Sequence, residues 1–336
     1  MDQAVARVTA KTLQAVLLEK PSARAPLHSN LRCSAAELLG RGFHIWEKYV
    51  DIPQVVMGLL DLVVHYKSPD SAHHSSTSTS NKYSKFASEV AHKALNLMIL
   101  VRPVTMVATL AKEVAMFLAS QHITHAPHSS LQPLQVGVNP PPSTAGIITP
   151  SNALLPTAKI EILHLVKTVI EKCSAQVTLQ LLEVMDVVLF CLEQEQIKKK
   201  NLLDLFPVIA KLPNISYSPK TRRVAVGARS GQVGIYDLRQ GKTQMMNAHS
   251  HPVTVLLFSD DGRMLATYAY GDSTLSVWQL SSSIFGSTPQ PKLVNSWPAI
   301  SSSSPMAYSS YIRLEWSGTK SIILHMPGGV ECKYSL

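Results

Sequence analysis

Along the first two thirds of the chain apolar residues return every three to four positions. Ala4, Val8, Leu13, Val16 and Leu17 share one helical face, and Leu31, Ala35, Leu38, Leu39, Ile45 and Trp46 share another. The same spacing predicts helices over residues 54–66, 83–101, 104–120, 158–173, 176–195 and 198–211. Ser29 or Asn30 stands where a helix start needs a side-chain acceptor, and Pro53 stands at a first turn. About eight helices of roughly fifteen residues fit stacked pairs of the HEAT or armadillo kind, an irregular bundle being the other arrangement of the same elements. The segment 176–195 is apolar around most of its circumference, which requires burial on more than one side.

After residue 211 the period falls to two. Residues 248–280 begin with His249 and an alternating strand (Val253, Val255, Leu257), then turn at Asp260, Asp261 and Gly262. A second strand follows over 264–268, a turn at Gly271 and Asp272, and a third strand closing on Trp278. Four short strands separated by such turns make one blade of a β-propeller. The stretch resembles a WD40 repeat, and the resemblance implies that His249, Thr267, Asp272 and Trp278 form a buried, hydrogen-bonded tetrad with a structural role. Upstream, residues 224–238 align with 265–280, with Tyr236 in the place of Trp278 and residues 215–217 as the outer strand; downstream, residues 311–336 repeat the pattern without the full tetrad. Three units result, 212–241, 242–280 and 292–336. A closed propeller takes about four to eight blades, so the remainder is expected from another chain or from a longer parent polypeptide. Leu336, a strand residue, suits a terminus that closes a ring.

The fold class expected is therefore mixed and segregated, α then β. A HEAT/armadillo-like helical array over 1–211, with disordered loops at 67–82 and 122–157, precedes a partial WD40 propeller of about three blades over 212–336.

Composition sharpens this picture. With 336 residues and 46% apolar residues there is enough material for two cores, and a charged fraction of only 16% points to a surface partly covered by partners. Cys33, Cys173, Cys191 and Cys332 are far apart and read as reduced, buried thiols of a cytosolic protein. The N-terminus lacks the apolar run of a signal peptide, and the apolar block 95–111, broken by Arg102 and Pro103, is short of the roughly 20 residues that span a bilayer. The net charge of +9 invites nucleic acid, yet no aromatic platform or recognition motif accompanies the basic runs at Lys198, Lys199, Lys200 and at Arg222, Arg223; an acidic protein face or an anionic membrane surface answers a diffuse positive charge equally well. Arg229 and Arg239 join the lysine run as candidate contact residues.

No catalytic, cofactor or metal site is expected. The sequence has no G-x-S-x-G, P-loop or dinucleotide fingerprint. His122, His125 and His128 have a suggestive spacing, but with Pro127 between them and no neighbouring Cys or carboxylate they read as solvated side chains. The Ser- and Thr-rich loops are candidate phosphorylation segments, with Ser68 before Pro69 the first position to examine.

The order of parts, with the link FPVIAKLPNISYSPKTRRVAVGARSGQVGIYDLR, the strand TLSVWQL and the end GGVECKYSL, is similar to the C-terminal portion of the WD-repeat family to which the beta subunit of the rabconnectin complex belongs. The likeness spans essentially the whole chain, but the family's N-terminal propeller repeats are missing, as in a fragment or short isoform. The resemblance implies a non-catalytic scaffold, cytoplasmic and peripheral on synaptic or endosomal vesicle membranes. Its expected partners are the rabconnectin alpha subunit and subunits of the vacuolar proton pump, whose assembly and vesicle acidification it would promote. An adaptor in another trafficking or coat complex is the alternative.

Overall fold

In a computed structural model, which describes residues 3–22, 25–65, 78–124, 151–281, 290–299 and 312–336, the contacts divide the chain into Met1–Leu165 and Val166–Leu336. This division falls earlier than the change of period at 211/212. The second unit therefore contains helices as well as sheets.

The first unit is helical. Its elements are α1 (Gln3–Leu18), α2 (Asn30–Arg41), α3 (Phe43–Trp46), α4 (Ile52–Val64), α5 (Ser78–Val101), α6 (Pro103–Thr124), α7 (Ser151–Thr157) and the first half of α8 (Lys159–Lys172). The Ser29 hydroxyl accepts from the Arg32 N–H and starts α2, while Asp51 accepts from the Gln54 N–H and starts α4. α1 packs on α2 and α4, and both of these pack on α5. Leu39, Leu59, Leu60, Leu95, Met98 and Ile99 are fully buried in this core. Arg32, itself buried, donates to the Leu17 carbonyl at 2.7 Å and so satisfies an orphan acceptor at the end of α1. Glu161 of α8 bonds the His92 ring of α5, and Arg102 grips Glu47 through two hydrogen bonds of 2.6 and 2.7 Å.

Several boundaries differ from the periodic reading. The polar stretch 67–82 already turns helical at Ser78, and 122–157 contributes the end of α6 and all of α7. The segment 31–46 is split at Gly42, and 176–195 is broken into α9 (Ser174–Val177), a 3-10 turn (Thr178–Gln180) and α10 (Leu181–Cys191). The segment 198–211 is the end of α11 (Gln194–Lys199), then α12 (Leu202–Leu205) and a 3-10 turn (Pro207–Lys211). Asn201 explains the restart by accepting from the Leu203 N–H at 3.0 Å, and Pro207 explains the stop. Pro103–Gln121 and Ser174–Cys191 are apolar and long enough to cross a bilayer, a length the block 95–111 was not expected to supply. Burial accounts for part of that apolarity: Met106, Val107, Leu110 and Val114 of α6, and Val184, Met185, Val187 and Val188 of α10, are core residues, while Val104, Met116, Leu118 and Leu179 are exposed.

The second unit carries three antiparallel meander sheets. The first is β1 (Ile215–Ser218), β2 (Arg223–Gly227), β3 (Gln232–Asp237) and β4 (Lys242–Asn247). The second is β5 (Val255–Phe258), β6 (Met264–Ala269), β7 (Thr274–Gln279) and β8 (Lys292–Pro298), and the third is β9 (Arg313–Trp316), β10 (Ser321–Met326) and β11 (Val330–Ser335). The opening strands stand side by side, β1 against β5 and β5 against β9, while β4 and β8 are exposed. This is the radial order of propeller blades. β1 is consequently an inner strand, not the outer strand expected for 215–217. β4 and β8, placed by the sequence at the start of the second and third units, close the first and second sheets instead. Each sequence repeat is thus staggered by one strand from the sheet it builds.

Alternation along the strands decides what faces what. Val233 and Ile235 of β3 meet Leu256, Phe258 and Leu265 of the second sheet, whereas Val255, Ala266, Tyr268, Leu275 and Val277 meet Ile312, Leu314, Ile322 and Leu324 of the third. The even positions of β3 face a helix. A Cβ on Gly234 would lie 2.8 Å from Leu182 of α10, and α10 packs along β2.

Candidate functional site

The second sheet gathers His249, Thr267, Asp272 and Trp278. Thr267 lies in the middle of β6 and is wholly buried; its Oγ1 stands 3.0 Å from Trp278 Nε1 and 2.9 Å from His249 Nε2. His249 Nδ1 in turn stands 3.3 Å from Asp272 Oδ2. The Thr267 hydroxyl also lies 3.5 Å from the Ser276 carbonyl, and one assignment of protons joins the four side chains in a relay: the indole N–H donates to Thr267, the threonine O–H donates to His249 Nε2, and His249 Nδ1–H donates to Asp272. That chain requires a neutral imidazole. Burial lowers the His249 pKa, against the opposing pull of Asp272, and so favours the same neutral form. Burial raises the Asp272 carboxyl, but hydrogen bonds from the His251 ring and the Ser250 N–H (2.9 Å) outweigh it and leave the group below the ordinary aspartate value.

His251 and Ser250 were not singled out in the sequence. The available signal was the His-Ser-His run, which places two rings and a backbone N–H around one carboxylate. Gly231 was also missed. It lies in the β2–β3 turn at φ +85°, where its carbonyl accepts from the His249 N–H at 3.0 Å and an added Cβ would fall 2.1 Å from the His249 carbonyl oxygen. The first sheet therefore anchors the chain that enters the tetrad of the second.

In the first sheet the register puts Tyr236 in the position of Trp278 and Val226 in that of Thr267, so no hydroxyl relay forms. Tyr236 turns instead to α10, with its hydroxyl 3.5 Å from the Leu182 carbonyl and bonded to Asp186. Desolvation raises the tyrosine pKa strongly, with the Asp186 charge adding to it, and desolvation raises the Asp186 carboxyl as well.

The third sheet presents an edge. The Leu336 N–H donates to the Lys320 carbonyl, so in the β10–β11 register the main chains of Tyr334, Cys332 and Val330 bond inward. The main-chain groups of Glu331, Lys333 and Ser335 point outward, and among the described residues no strand pairs with them. The sheet face turned away from β5–β8 is polar: His325 lies 3.2 Å from both Glu315 and Glu331.

Of the basic candidates, Lys198, Lys199, Lys200 and Arg239 fall on one side and Arg229 on the other. Arg222 donates to the Lys200 carbonyl at 2.6 Å, and Arg239 donates to the Lys220 carbonyl at 2.7 Å. This places the α11 lysines beside the β1–β2 and β3–β4 turns. Arg229 occupies the β2–β3 turn at the opposite strand ends.

Among the described residues no group of three His, Cys, Asp or Glu side chains converges on a metal position. His122, His125 and His128 lie outside the residues whose side chains are described, as does Ser68. None of the four cysteines forms a disulfide; Cys33 and Cys191 are buried as expected, whereas Cys173 and Cys332 are only partly so. Surface hollows among the described residues include an open one of about 640 Å³ along α1, lined by Arg7, Val8 and Lys11, and a groove of about 230 Å³ beside Phe86 and Leu97. Neither gathers a nucleophile with a base.

No family model matches the chain. Among solved structures it is similar to the β-propeller domain of Cps50 (Swd1) from Myceliophteria thermophila, at 16% identity and a TM-score of 0.29 over 36% of this chain and 38% of that one. It is also similar to a chain in the crystal structure of the mitotic checkpoint complex, at 22% identity and a TM-score of 0.20, again over 36% and 38%. The chain spans well under half the length of either. The blade description rests on strand order and register.

Proposed function

We propose that this chain is a non-catalytic scaffold that joins larger assemblies through the unpaired edge of its third sheet. The observation that carries the reading is β11. In the first two sheets the third strand is covered by a fourth, β3 by β4 and β7 by β8, whereas the outward amides of Glu331, Lys333 and Ser335 have no such cover among the described residues. An extended segment added antiparallel to β11 completes the same four-strand pattern, with main-chain hydrogen bonds giving affinity. The tetrad holds the second sheet rigid behind this edge, a structural role for its four residues. The polar outer face of the third sheet keeps pairing at the edge from becoming stacking on the face.

The partner follows from the sequence resemblance: the rabconnectin alpha subunit and subunits of the vacuolar proton pump, with the chain held on synaptic or endosomal vesicles through them and acting in pump assembly and acidification. Affinity purification of the tagged full chain from cytosol, with mass spectrometry, tests both levels. Recovery of the alpha subunit and pump subunits, lost in Lys333→Pro, is the expected result, since proline removes an outward N–H and leaves the inward ladder intact. Recovery of the same subunits at equal yield with Lys333→Pro overturns the edge. Recovery of coat proteins in their place overturns the pump assignment and favours an adaptor of another trafficking complex.

A further inference from the structure

The turn ends of the first sheet and the last residues of α11 bring together cations that the tetrad and the strand edge do not use. Three chain segments are knitted there by main-chain bonds. Arg222 reaches the Lys200 carbonyl, the Leu238 N–H donates to the Arg222 carbonyl at 2.9 Å, and Arg239 reaches the Lys220 carbonyl. Lys199, Lys200, Lys220 and Arg239 are exposed, and Arg222 is half-buried. Lys198 is paired with Glu195 and Arg223 with Asp237, but among the described residues no carboxylate lies within ion-pair distance of the other five. Arg222 is also, among the described residues, one of two non-glycine residues at positive φ, 53°, a conformation that disfavours a long side chain and is held here by the bonds on either side of it.

Two guanidinium groups anchored by backbone carbonyls, each with further N–H donors left over, are arranged for planar acceptors. We infer that this surface docks an acidic polypeptide segment whose carboxylates meet Lys199, Lys200, Lys220, Arg222 and Arg239.

The surroundings favour a peptide over the other polyanions. The β5–β6 turn lies directly against the β1–β2 turn, since a Cβ on Gly262 would fall 2.2 Å from Ser218 Oγ, and the same β5–β6 turn exposes Asp260 and Asp261. A continuous anionic lipid surface would meet those carboxylates along with the lysines, whereas a narrow acidic segment passes beside them. No large exposed apolar side chain lies on the three segments to enter a bilayer or to stack on bases. The inference stands apart from the strand edge of β11, which lies on another sheet.

The test is fluorescence anisotropy of a labelled oligoglutamate peptide with the full chain, run beside vesicles of phosphatidylcholine with phosphatidylserine and beside duplex DNA. Saturable peptide binding is expected, weakening at least about tenfold as salt rises from about 0.05 M to 0.3 M. It should be lost in the triple variant Lys199→Glu, Lys200→Glu, Lys220→Glu and kept in Arg229→Glu at the opposite strand ends. The triple Lys→Gln variant, which adds no repulsion, should lose most of the binding, and circular dichroism of each variant verifies folding. Absence of peptide binding at low salt overturns the inference. So does unchanged binding in both folded triple variants, or binding to vesicles or DNA without binding to the peptide.

Discussion

Replacing Thr267 by valine separates the relay from the packing around it. The side chain is completely buried, and valine matches its shape, so the loss is that of one oxygen. That oxygen serves two ring nitrogens, accepting from Trp278 Nε1 at 3.0 Å and, in the relay, donating to His249 Nε2 at 2.9 Å. Leaving a buried polar group unpaired costs about 1–3 kcal/mol. Two such groups, offset in part by no longer burying a hydroxyl, give a net loss of about 2–4 kcal/mol. Hydrogen exchange read by mass spectrometry on β5 to β7 measures this locally: exchange should rise roughly 30- to 1000-fold if those amides open together. Thr267→Ser keeps the oxygen and gives up a methyl group, so its loss should be smaller. If the valine variant protects these strands as well as the serine variant does, the hydroxyl is not the centre of a relay and the proton assignment of His249 falls with it.

Acid should weaken the same sheet early. His249 has a folded pKa below its ordinary 6.5, so the unfolded chain binds more protons beneath that value; the stability it contributes is full above 6.5 and declines as pH falls through the folded pKa. His249→Gln should flatten that slope in a thermal-shift series, whereas loss of Asp272 ionisation should act only below its ordinary 3.8. Tyr236→Phe should cost about 1 kcal/mol and raise hydrogen exchange in α10 while leaving β5–β8 unchanged. Gly231→Ala, which forces a Cβ against the His249 carbonyl in a left-handed turn, should destabilise by more than about 1–2 kcal/mol in urea unfolding, well beyond the effect of Gly241→Ala, where the space is open.

Period two and the turn residues carried the strands of 212–336 because each strand buries one face and its turns need glycine or aspartate. The tetrad residues were locatable through the resemblance to a WD40 repeat, which assigns a role to residue types at those offsets from turn and strand. The stagger between repeat and sheet was not legible. β4 and β8 look like the opening strands of a repeat and pair backwards because the nearest free edge belongs to the preceding strand. The long helices at 176–195 and 198–211 dissolved into short pieces because apolar periodicity is insensitive to a single break, here at Gln180, Asn201 and Pro207. Leu182 and Asp186 carry no local signal for meeting Tyr236, which lies 54 positions beyond Leu182.

The place taken by α10 limits how copies of this chain can meet. A stack of similar sheets with two bare ends invites head-to-tail addition, and a heterologous contact of that kind runs on into a filament unless its rotation closes. Here one end of the stack is covered by a helix of the same unit, fixed by Tyr236, Leu182 and Gly234. Among the described residues no such helix covers the third sheet, so a contact between copies at that end of the stack is isologous, third sheet to third sheet about a two-fold axis, and closes at two.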